Sequence, residues 1–428
     1  MVAYNPAYNP HYKEDILDST NDKSSNSVGV SAVRHCLKEQ GFTEGLIRIL
    51  CHLDGEQSQQ ERVWIIDNSG SMNTFDGQRL VPTHHRSQVK VCSCTRWEEL
   101  RECIHYHINL VGLLRVPTRF ELLNGINNVT TFSIATSSSK NSVHYEIEQA
   151  NRIMKNVQPQ GFTPLVRKVL AVEDYCLQNK SKLHHHGGEN QKQHNISVII
   201  ATDGLPTDDN GYSSSFENEQ FISAIKSLQR SVPSCWIVIR LCTDDPQVVS
   251  FYNSLDNHLE FPLEVLDDFL CEAKEVYRHN PWLNYSLPLH RIRESGYRHQ
   301  LLDLIDERPL TMGELKEFCS LLFLFVGDEG NNSVTTTLPD PESSWIEFTT
   351  QLQILLQKEY TQWNPVQKRM LPWIDMRSLN RVYQPRFGSG LFTSDQLWIF
   401  IVISLIGALT ALWIQMHEDP AELKLNSM

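Results

Sequence analysis

The sequence predicts an α/β fold with a doubly wound, mostly parallel sheet, and two observations favour it. Mainly apolar runs, Val63–Ile66, Ile196–Thr202 and Cys235–Leu241, are typical of strands that are buried on both faces. Amphipathic helical patterns separate these runs, and such alternation indicates a parallel sheet covered by helices. The predicted helices span about 97–114, 145–157, 164–178 and 216–231.

Two shorter patterns predict an antiparallel edge to this sheet. The strands Arg119–Leu123 and Thr130–Ala135 flank Asn124 and Gly125, a dipeptide that is typical of a hairpin turn. The hairpin adds one antiparallel edge strand to the otherwise parallel sheet. The stretch 73–85, which follows the first apolar strand, is interpreted as a loop.

Changes in composition divide the chain into seven segments. Strand–helix alternation stops near Tyr277, and helical patterns dominate beyond it, over about 290–305, 311–323 and 342–360. The expected segments are a disordered N-terminus (1–27), a small helical lead-in (28–59), the α/β domain (60–277), a helical accessory region (278–383), a linker (384–396), a transmembrane helix (397–414) and a polar tail (415–428).

One uncharged segment, 397–414, predicts a membrane helix. As a helix it is about 27 Å long, close to the thickness of the hydrocarbon layer. Trp398 and Trp413 lie at its ends, where indole rings are favoured at membrane interfaces. A fully buried core helix is the alternative interpretation.

Charges around this segment predict its orientation. The positive-inside rule predicts a C-terminal, single-pass anchor that leaves the bulk of the chain in the cytosol, because three arginines precede the helix: Arg377, Arg381 and Arg386. The spacings Ser404–Ala408 and Gly407–Ala411 would allow two such helices to approach closely and self-associate.

Composition limits the class of function. The net charge of −13 over 428 residues argues against a nucleic-acid binder, which requires a basic face. The ten cysteines are scattered, which indicates reduced thiols rather than a disulfide framework. No glycine-rich phosphate loop and no His-Glu-x-x-His motif occurs, so we do not expect an enzyme.

The first apolar strand runs directly into a cluster of side-chain oxygens. Asp67, Ser69 and Ser71 follow Val63–Ile66, and open α/β sheets bind their ligands at the carboxyl ends of parallel strands. A carboxylate with two hydroxyls is an all-oxygen set that suits Mg²⁺ or Mn²⁺. The sequence therefore predicts a divalent metal site, to which the ends of neighbouring strands should add further oxygens.

Three separated motifs occur in the order that one known family shows. Asp67-x-Ser69-x-Ser71, Thr163 in Gly-Phe-Thr-Pro-Leu, and Asp203 in Ala-Thr-Asp-Gly-Leu-Pro-Thr-Asp together resemble the von Willebrand factor A (vWA) domain. The resemblance covers the predicted α/β domain and implies a metal-ion-dependent adhesion site. In such a site both serines and Thr163 bind Mg²⁺ or Mn²⁺ directly, and the two aspartates bind it directly or through water.

The resemblance also implies a role. In this family an Asp or Glu of a protein partner completes the metal shell, so the expected function is metal-dependent protein binding at a membrane, as adhesion or scaffolding. Two alternatives are a scaffold subunit of an intracellular complex and an adhesion receptor that faces outward. A metal-dependent enzyme is the least favoured class, and a site that keeps the loop geometry but has lost its metal is the remaining alternative.

Overall fold

A six-stranded sheet with helices against both faces forms the centre of the protein. The computed structural model describes residues 26–51, 59–82, 89–126, 129–136, 140–184, 194–255, 259, 263–323 and 337–384. The strands within those ranges are β1 (Gln59–Ile66), β2 (Gly77–Pro82), β3 (Val89–Cys94), β4 (Thr118–Ile126), β5 (Val129–Ile134), β6 (His194–Thr202), β7 (Cys235–Leu241), β8 (Glu264–Leu266), β9 (Gln362–Asn364) and β10 (Arg369–Leu371). The order in the central sheet is β5-β4-β1-β6-β7-β8, and each neighbouring pair is parallel except β4 with β5.

Helices precede, connect and follow the strands of this sheet. They are α1 (Asn26–Glu39), α2 (Glu44–Leu50), α3 (Arg96–Leu114), α4 (Lys140–Asn156), α5 (Leu165–His184), α6 (Ser215–Ser231), α7 (Pro246–Asn253), α8 (Phe269–His279), α9 (Leu287–Glu294), α10 (Gln300–Glu307), α11 (Met312–Phe323), α12 (Trp345–Leu356) and α13 (Met376–Tyr383). A short 3-10 helix, Gly70–Asn73, follows β1.

Two apolar cores lie on opposite faces of the sheet, as the alternation of side chains along β1 requires. Trp64 and Ile66 point into a core that α3 and α4 cover. Val63 and Ile65 point into a second core that α5 and α6 cover. All four side chains are fully buried, which explains why the strand reads as a continuous apolar run. The predicted α/β fold with a mainly parallel sheet is confirmed.

The predicted antiparallel edge is also present, but β4 extends past the predicted turn. β4 continues through Asn124 and Gly125 to Ile126, which pairs with Val129 of β5. The prediction of a turn at Asn124 and Gly125 is therefore wrong. Asn124 is held in strand β4 because its backbone and side chain both make hydrogen bonds to neighbouring loops.

The stretch interpreted as a loop, 73–85, contains a strand. β2 pairs with β3 in a separate two-stranded antiparallel sheet, from Gly77 opposite Cys94 to Pro82 opposite Val89. Only one of the six residues of β3 is buried, so the hairpin lacks the apolar run that marks a central strand. This hairpin was missed for that reason.

A third apolar core joins the first described helices to the last. Leu46 of α2 and Phe318 of α11 are fully buried in it. A methyl group added to Gly45 would overlap the backbone of Leu321 and Leu322, so α2 and α11 are in direct backbone contact. The lead-in that precedes the α/β domain in sequence therefore packs with the accessory region that follows it.

The accessory region begins with two helices where one was predicted over 290–305. α9 ends at Glu294 and α10 begins at Gln300. Gly296 lies between them with φ of 74°, a left-handed conformation that favours glycine. Its carbonyl accepts a hydrogen bond from Ser197 Oγ at 2.8 Å. The break thus fastens the accessory region to β6, in the middle of the sheet.

One buried arginine connects three further elements. The Arg293 guanidinium of α9 donates to Glu264 of β8 at 2.7 Å, to Asp306 of α10 at 2.9 Å, and to Glu272 of α8. Burial raises the pKa of both glutamates. Burial also acts on Asp306, but there the Arg293 charge and hydrogen bonds from Arg293 and Glu272 together outweigh it and lower the pKa. One cation therefore serves three carboxyl groups.

The terminal segments lie mostly outside the described residues. α1 begins at Asn26, so the last two residues of the segment predicted as disordered (1–27) are helical, and residues 1–25 lie outside the description. The predicted membrane segment 397–414 lies outside it as well, with the linker beyond residue 384 and the polar tail. Among the described ranges, no helix is both long and apolar enough to cross a membrane.

Candidate metal site

Two aspartates lie one residue beyond the ends of neighbouring strands. β1 ends at Ile66 and β6 ends at Thr202, and the two strands pair in parallel at the centre of the sheet. Asp67 and Asp203 therefore reach the same edge, which is where open α/β sheets bind ligands. Their exposed fractions are only 0% and 3%, so their charges are largely removed from water.

A continuous chain of hydrogen bonds links the two aspartates through the two serines. Asp67 Oδ1 accepts a hydrogen bond from the Ser69 N–H at 2.8 Å. The Ser69 and Ser71 hydroxyl oxygens lie 2.9 Å apart, and Ser71 Oγ donates to Asp203 Oδ1 at 2.8 Å. Thr202 Oγ1 donates to the other oxygen of Asp67 at 2.7 Å. Four of the five predicted ligand residues thus share one small cluster of oxygens.

Thr163, the fifth predicted residue, lies in the loop that leads into α5. A methyl group added to Gly204 would be 3.7 Å from Thr163 Oγ1, which places this hydroxyl beside the residue that follows Asp203. Thr207 fixes the Thr163 backbone. Its hydroxyl accepts from the Thr163 N–H at 3.1 Å, and its N–H donates to the Thr163 carbonyl at 3.0 Å. The structure therefore brings all five residues to the same edge of the sheet.

Two asparagines and a glycine hold that loop against β1. Asn68 and Asn124 exchange two hydrogen bonds of 2.8 Å, and Asn124 Nδ2 donates to the Phe162 carbonyl at 2.8 Å. Gly161 has φ of 77°, and a side chain there would overlap the Asn124 amide. The Gly161 carbonyl also accepts from the Gly70 N–H at 3.0 Å. Glycine at 161 thus permits the close approach that brings Thr163 to the two aspartates.

The cluster concentrates negative charge in a buried place. Burial, followed by the charge of Asp203, raises the pKa of Asp67 to about 6, despite hydrogen bonds that favour its charged form. Burial also raises the pKa of Asp203, although Arg96 opposes the shift. Two carboxylates in one buried site repel each other, and a divalent cation would relieve that repulsion. The set of carboxylate and hydroxyl oxygens therefore fits Mg²⁺ or Mn²⁺.

Arg96 supplies a cation to this site that the sequence did not predict. Its Nη1 donates to Asp203 Oδ2 at 2.9 Å, and its Nε and Nη2 bind both carboxylate oxygens of Asp76 at 2.8 and 2.6 Å. Arg96 is the first residue of α3, whose start is marked by a capping box between Thr95 and Glu98. That signal predicts the helix start, but nothing in the spacing indicates an ion pair across 107 positions.

Two other groups of metal-ligating residue types occur among the described residues, and they suit metal less well. They are Cys103 with His107 and Glu294, and Asp244 with Asp268 and Cys271. In the first group Glu294 already accepts from Arg291 at 2.6 Å, and burial strongly raises the pKa of the Cys103 thiol, so the thiol is neutral. In the second group Asp268 is the N-cap of α8 and binds two backbone N–H groups.

The comparisons with known proteins gave no family. No protein-family model matches the chain, and no curated protein matches it. The class of protein is therefore argued from the fold and from the oxygen cluster at the edge of the sheet.

Proposed function

We propose that the chain is a vWA-domain protein whose adhesion site binds Mg²⁺ or Mn²⁺ and, through that ion, a carboxylate of a protein partner. The observation that carries the proposal is the chain of hydrogen bonds from Asp67 through Ser69 and Ser71 to Asp203. It lies at the carboxyl edge of a mainly parallel sheet, where ligands of such folds bind.

Each residue of the cluster has a distinct role in this proposal. Ser69, Ser71 and Thr163 hold the ion through neutral hydroxyl oxygens, and Asp67 and Asp203 hold it directly or through water. The bound ion supplies positive charge that polarises whatever oxygen approaches from outside. Because three of the five groups are uncharged, the ion binds one further anionic oxygen favourably. A partner's Asp or Glu provides that oxygen.

Arg96 and Thr202 set the orientation of the two carboxylates. Thr202 donates to one oxygen of Asp67, and the Ser69 N–H donates to the other. Arg96 donates a hydrogen bond to one oxygen of Asp203, and Ser71 donates one to the other. These donors act on carboxylates that are nearly free of solvent, where charge-assisted hydrogen bonds are strong. They keep the site organised without the ion.

We further propose that segment 397–414 anchors the protein and that the metal site faces the cytosol. The support is its uncharged length and the arginines that precede it. Alkaline carbonate extraction of cell membranes should leave the full chain in the pellet, whereas a chain lacking 397–414 should be soluble. Recovery of both in the supernatant would reject the anchor and favour a scaffold subunit of an intracellular complex.

Direct titration tests the metal site. The purified full chain, stripped with a chelator, should bind about one equivalent of Mn²⁺ by isothermal titration calorimetry, and Asp67→Ala should abolish that binding. The matched control is Asp209→Ala, because Asp209 is 79% exposed at its side chain and pairs only with Arg167 at 3.3 Å in the described residues. Equal Mn²⁺ binding by wild type and Asp67→Ala would falsify the proposed site.

A further inference from the structure

Exposed aromatic side chains occur in the three chain segments that carry the residues of the candidate metal site. Phe75, Phe162, Tyr212 and Phe216 are 67%, 50%, 73% and 62% exposed, and we call these four residues the aromatic rim. Every exposed phenylalanine among the described residues belongs to it. Single exposed apolar residues are ordinary, but grouped ones mark interaction sites. The grouping at one edge of the sheet therefore needs an explanation.

Phe75 is tied to the metal site through Arg96. The residues on either side of Phe75 both bind that arginine. The Thr74 carbonyl accepts from the Arg96 N–H at 3.0 Å, and Asp76 binds the guanidinium. Because Arg96 in turn binds Asp203 at 2.9 Å, the backbone that carries Phe75 is tied to the oxygen cluster.

Phe162 and Tyr212 belong to the two loops that meet at Thr163. Phe162 immediately precedes Thr163, and its ring lies against Gly211, since a methyl group added there would overlap it. Tyr212 follows Gly211 in the loop after β6, and its N–H donates to Asp208 Oδ1 at 2.8 Å. The Phe162 ring therefore lies against the loop that carries Tyr212, beside one predicted ligand.

Phe216, the fourth residue, lies at the start of α6, the helix that follows the Asp203 and Tyr212 loop. Its N–H donates to the capping Ser214 Oγ at 3.2 Å, so the position of its backbone is fixed. The side chain is 62% exposed even though the helix buries its other face against the sheet. Interfaces are enriched in such aromatic residues, which supply large contact areas at low entropic cost.

We infer that the aromatic rim binds a protein segment in which an Asp or Glu is flanked by apolar side chains. This inference rests on the proposed function, because the metal ion would bind the carboxylate while the rim covers its apolar neighbours. Charge complementarity selects this occupant. An uncharged apolar segment would leave the ion without its anionic ligand, and a polar acidic segment would leave four aromatic rings exposed to water.

Short labelled peptides test the inference on the full chain. Three fluorescein-labelled eight-residue probes differ only at the centre, which reads Leu-Asp-Leu, Ser-Asp-Ser or Leu-Asn-Leu. Fluorescence polarisation with Mn²⁺ should show the first probe binding at least about tenfold more tightly than the second. The third probe should bind no better in Mn²⁺ than in EDTA, because it lacks the carboxylate.

Rim variants then assign the apolar preference to specific side chains. Phe75→Ser and Phe162→Ser, made separately, should each weaken the Leu-Asp-Leu probe by about three- to tenfold. They should leave the Ser-Asp-Ser probe and the direct Mn²⁺ titration unchanged. Ile346→Ser is the matched control, because Ile346 is 78% exposed on α12, and it should change nothing. If one of the two rim variants changes the Mn²⁺ titration, the affinity of the other variant for the Leu-Asp-Leu probe tests the inference.

The outcomes separate the two proposals. Equal, Mn²⁺-dependent binding of the Leu-Asp-Leu and Ser-Asp-Ser probes would overturn the rim and leave the metal site standing. Equal binding of the Asp and Asn probes, or binding that persists in EDTA, would overturn the proposed function itself. Absence of binding by every probe counts against both. Metal-dependent dimerisation of the chain in sedimentation velocity, abolished by Phe75→Ser, would identify a second copy as the occupant and overturn the peptide proposal.

Discussion

Replacing Arg96 is the sharpest test of how charge is balanced at the metal site. Arg96 is the cation that contacts Asp203 directly in the described structure, at 2.9 Å, and the Asp203 side chain has no exposed surface. Arg96→Gln removes the positive charge and keeps a hydrogen-bond donor. Without a metal ion, the variant leaves Asp203 buried beside Asp67 with no counter-charge.

The expected magnitude follows from the burial of the pair. Breaking a buried ion pair by removing one partner costs about 3–5 kcal/mol. The Arg96 side chain keeps 13% of its surface exposed and Ser71 still donates to Asp203, so we expect a loss of about 2 kcal/mol in the metal-free protein. A bound divalent ion replaces the missing charge. The free energy of metal binding should therefore be more favourable in the variant than in wild type by the same amount. That corresponds to Mn²⁺ binding that is about 30-fold tighter.

Two measurements test the predicted loss of stability and the predicted gain in metal affinity. Urea denaturation in EDTA should show the variant to be less stable by about 2 kcal/mol, and the difference should disappear in saturating Mn²⁺. Calorimetric titration should give the tighter affinity directly. Arg278→Gln, which removes an arginine whose side chain is 71% exposed on α8, controls for net charge and should alter neither quantity. Weaker Mn²⁺ binding by Arg96→Gln would refute the reasoning and show that the orienting hydrogen bond of Arg96 to Asp203 matters more for metal binding than its charge does.

Three further variants test the framework around the site. Arg293→Met should lower the free energy of unfolding, measured by urea denaturation, by about 3–5 kcal/mol, because it leaves three carboxyl groups without their cation. A loss of less than about 1 kcal/mol would contradict this explanation. Burial and the charge of Glu264 raise the pKa of Asp303 to about 7, so the folded protein keeps a proton that the unfolded chain releases near pH 4. The stability that this group contributes is therefore present below about pH 4 and falls as the pH rises to about 7. Asp303→Asn should then be more stable than wild type by about 1–2 kcal/mol at pH 8, after allowance for solvent screening. This gain in stability should shrink by pH 5. A gain that does not depend on pH would exclude titration of Asp303 as its cause. Gly161→Ala should lower the free energy of unfolding by about 2 kcal/mol and weaken Mn²⁺ binding, because φ is 77° and Asn124 fills the space. Gly313→Ala in α11 is the control, because nothing lies within 4 Å of the added methyl group. Urea denaturation should show this control to be neutral or stabilising.

The sequence predicts the centre of the sheet well because burial dictates composition there. The strand predicted over Cys235–Leu241 has the bounds of β7. A strand buried on both faces is mostly apolar, and the one charged residue of β7, Arg240, is buried in an ion pair with Glu99. The β2–β3 hairpin lacks that signal because its strands pair only with each other and stay partly exposed. The wrong prediction of a turn at Asn124 has a different cause. Asparagine is typical of hairpin turns, but here the Asn124 side chain donates a tertiary hydrogen bond to the Phe162 carbonyl.

The five predicted site residues are brought together because each follows a strand or precedes a helix, and topology alone takes such positions to one edge. Asp67 and Asp203 are the clearest examples. Arg96 could not be predicted in the same way. Its contact with Asp203 depends on where α3 begins relative to β6, and that relation is set by packing rather than by spacing. The aromatic rim was missed because an exposed phenylalanine looks the same in sequence as a buried one.

The hydrogen bond between Ser197 and the Gly296 carbonyl has a consequence for how the protein can be divided. It joins a central strand to a residue 99 positions later, and the described residues up to Tyr383 belong to one compact unit. A fragment that ended at residue 277 would stop inside α8 and lose Arg293 while it retained Glu264 and Glu272. Those acids would then be left without a counter-charge, and Ser197 would lose its hydrogen-bond acceptor. Any fragment meant to capture a partner through the metal site therefore has to extend to the last described helix, α13.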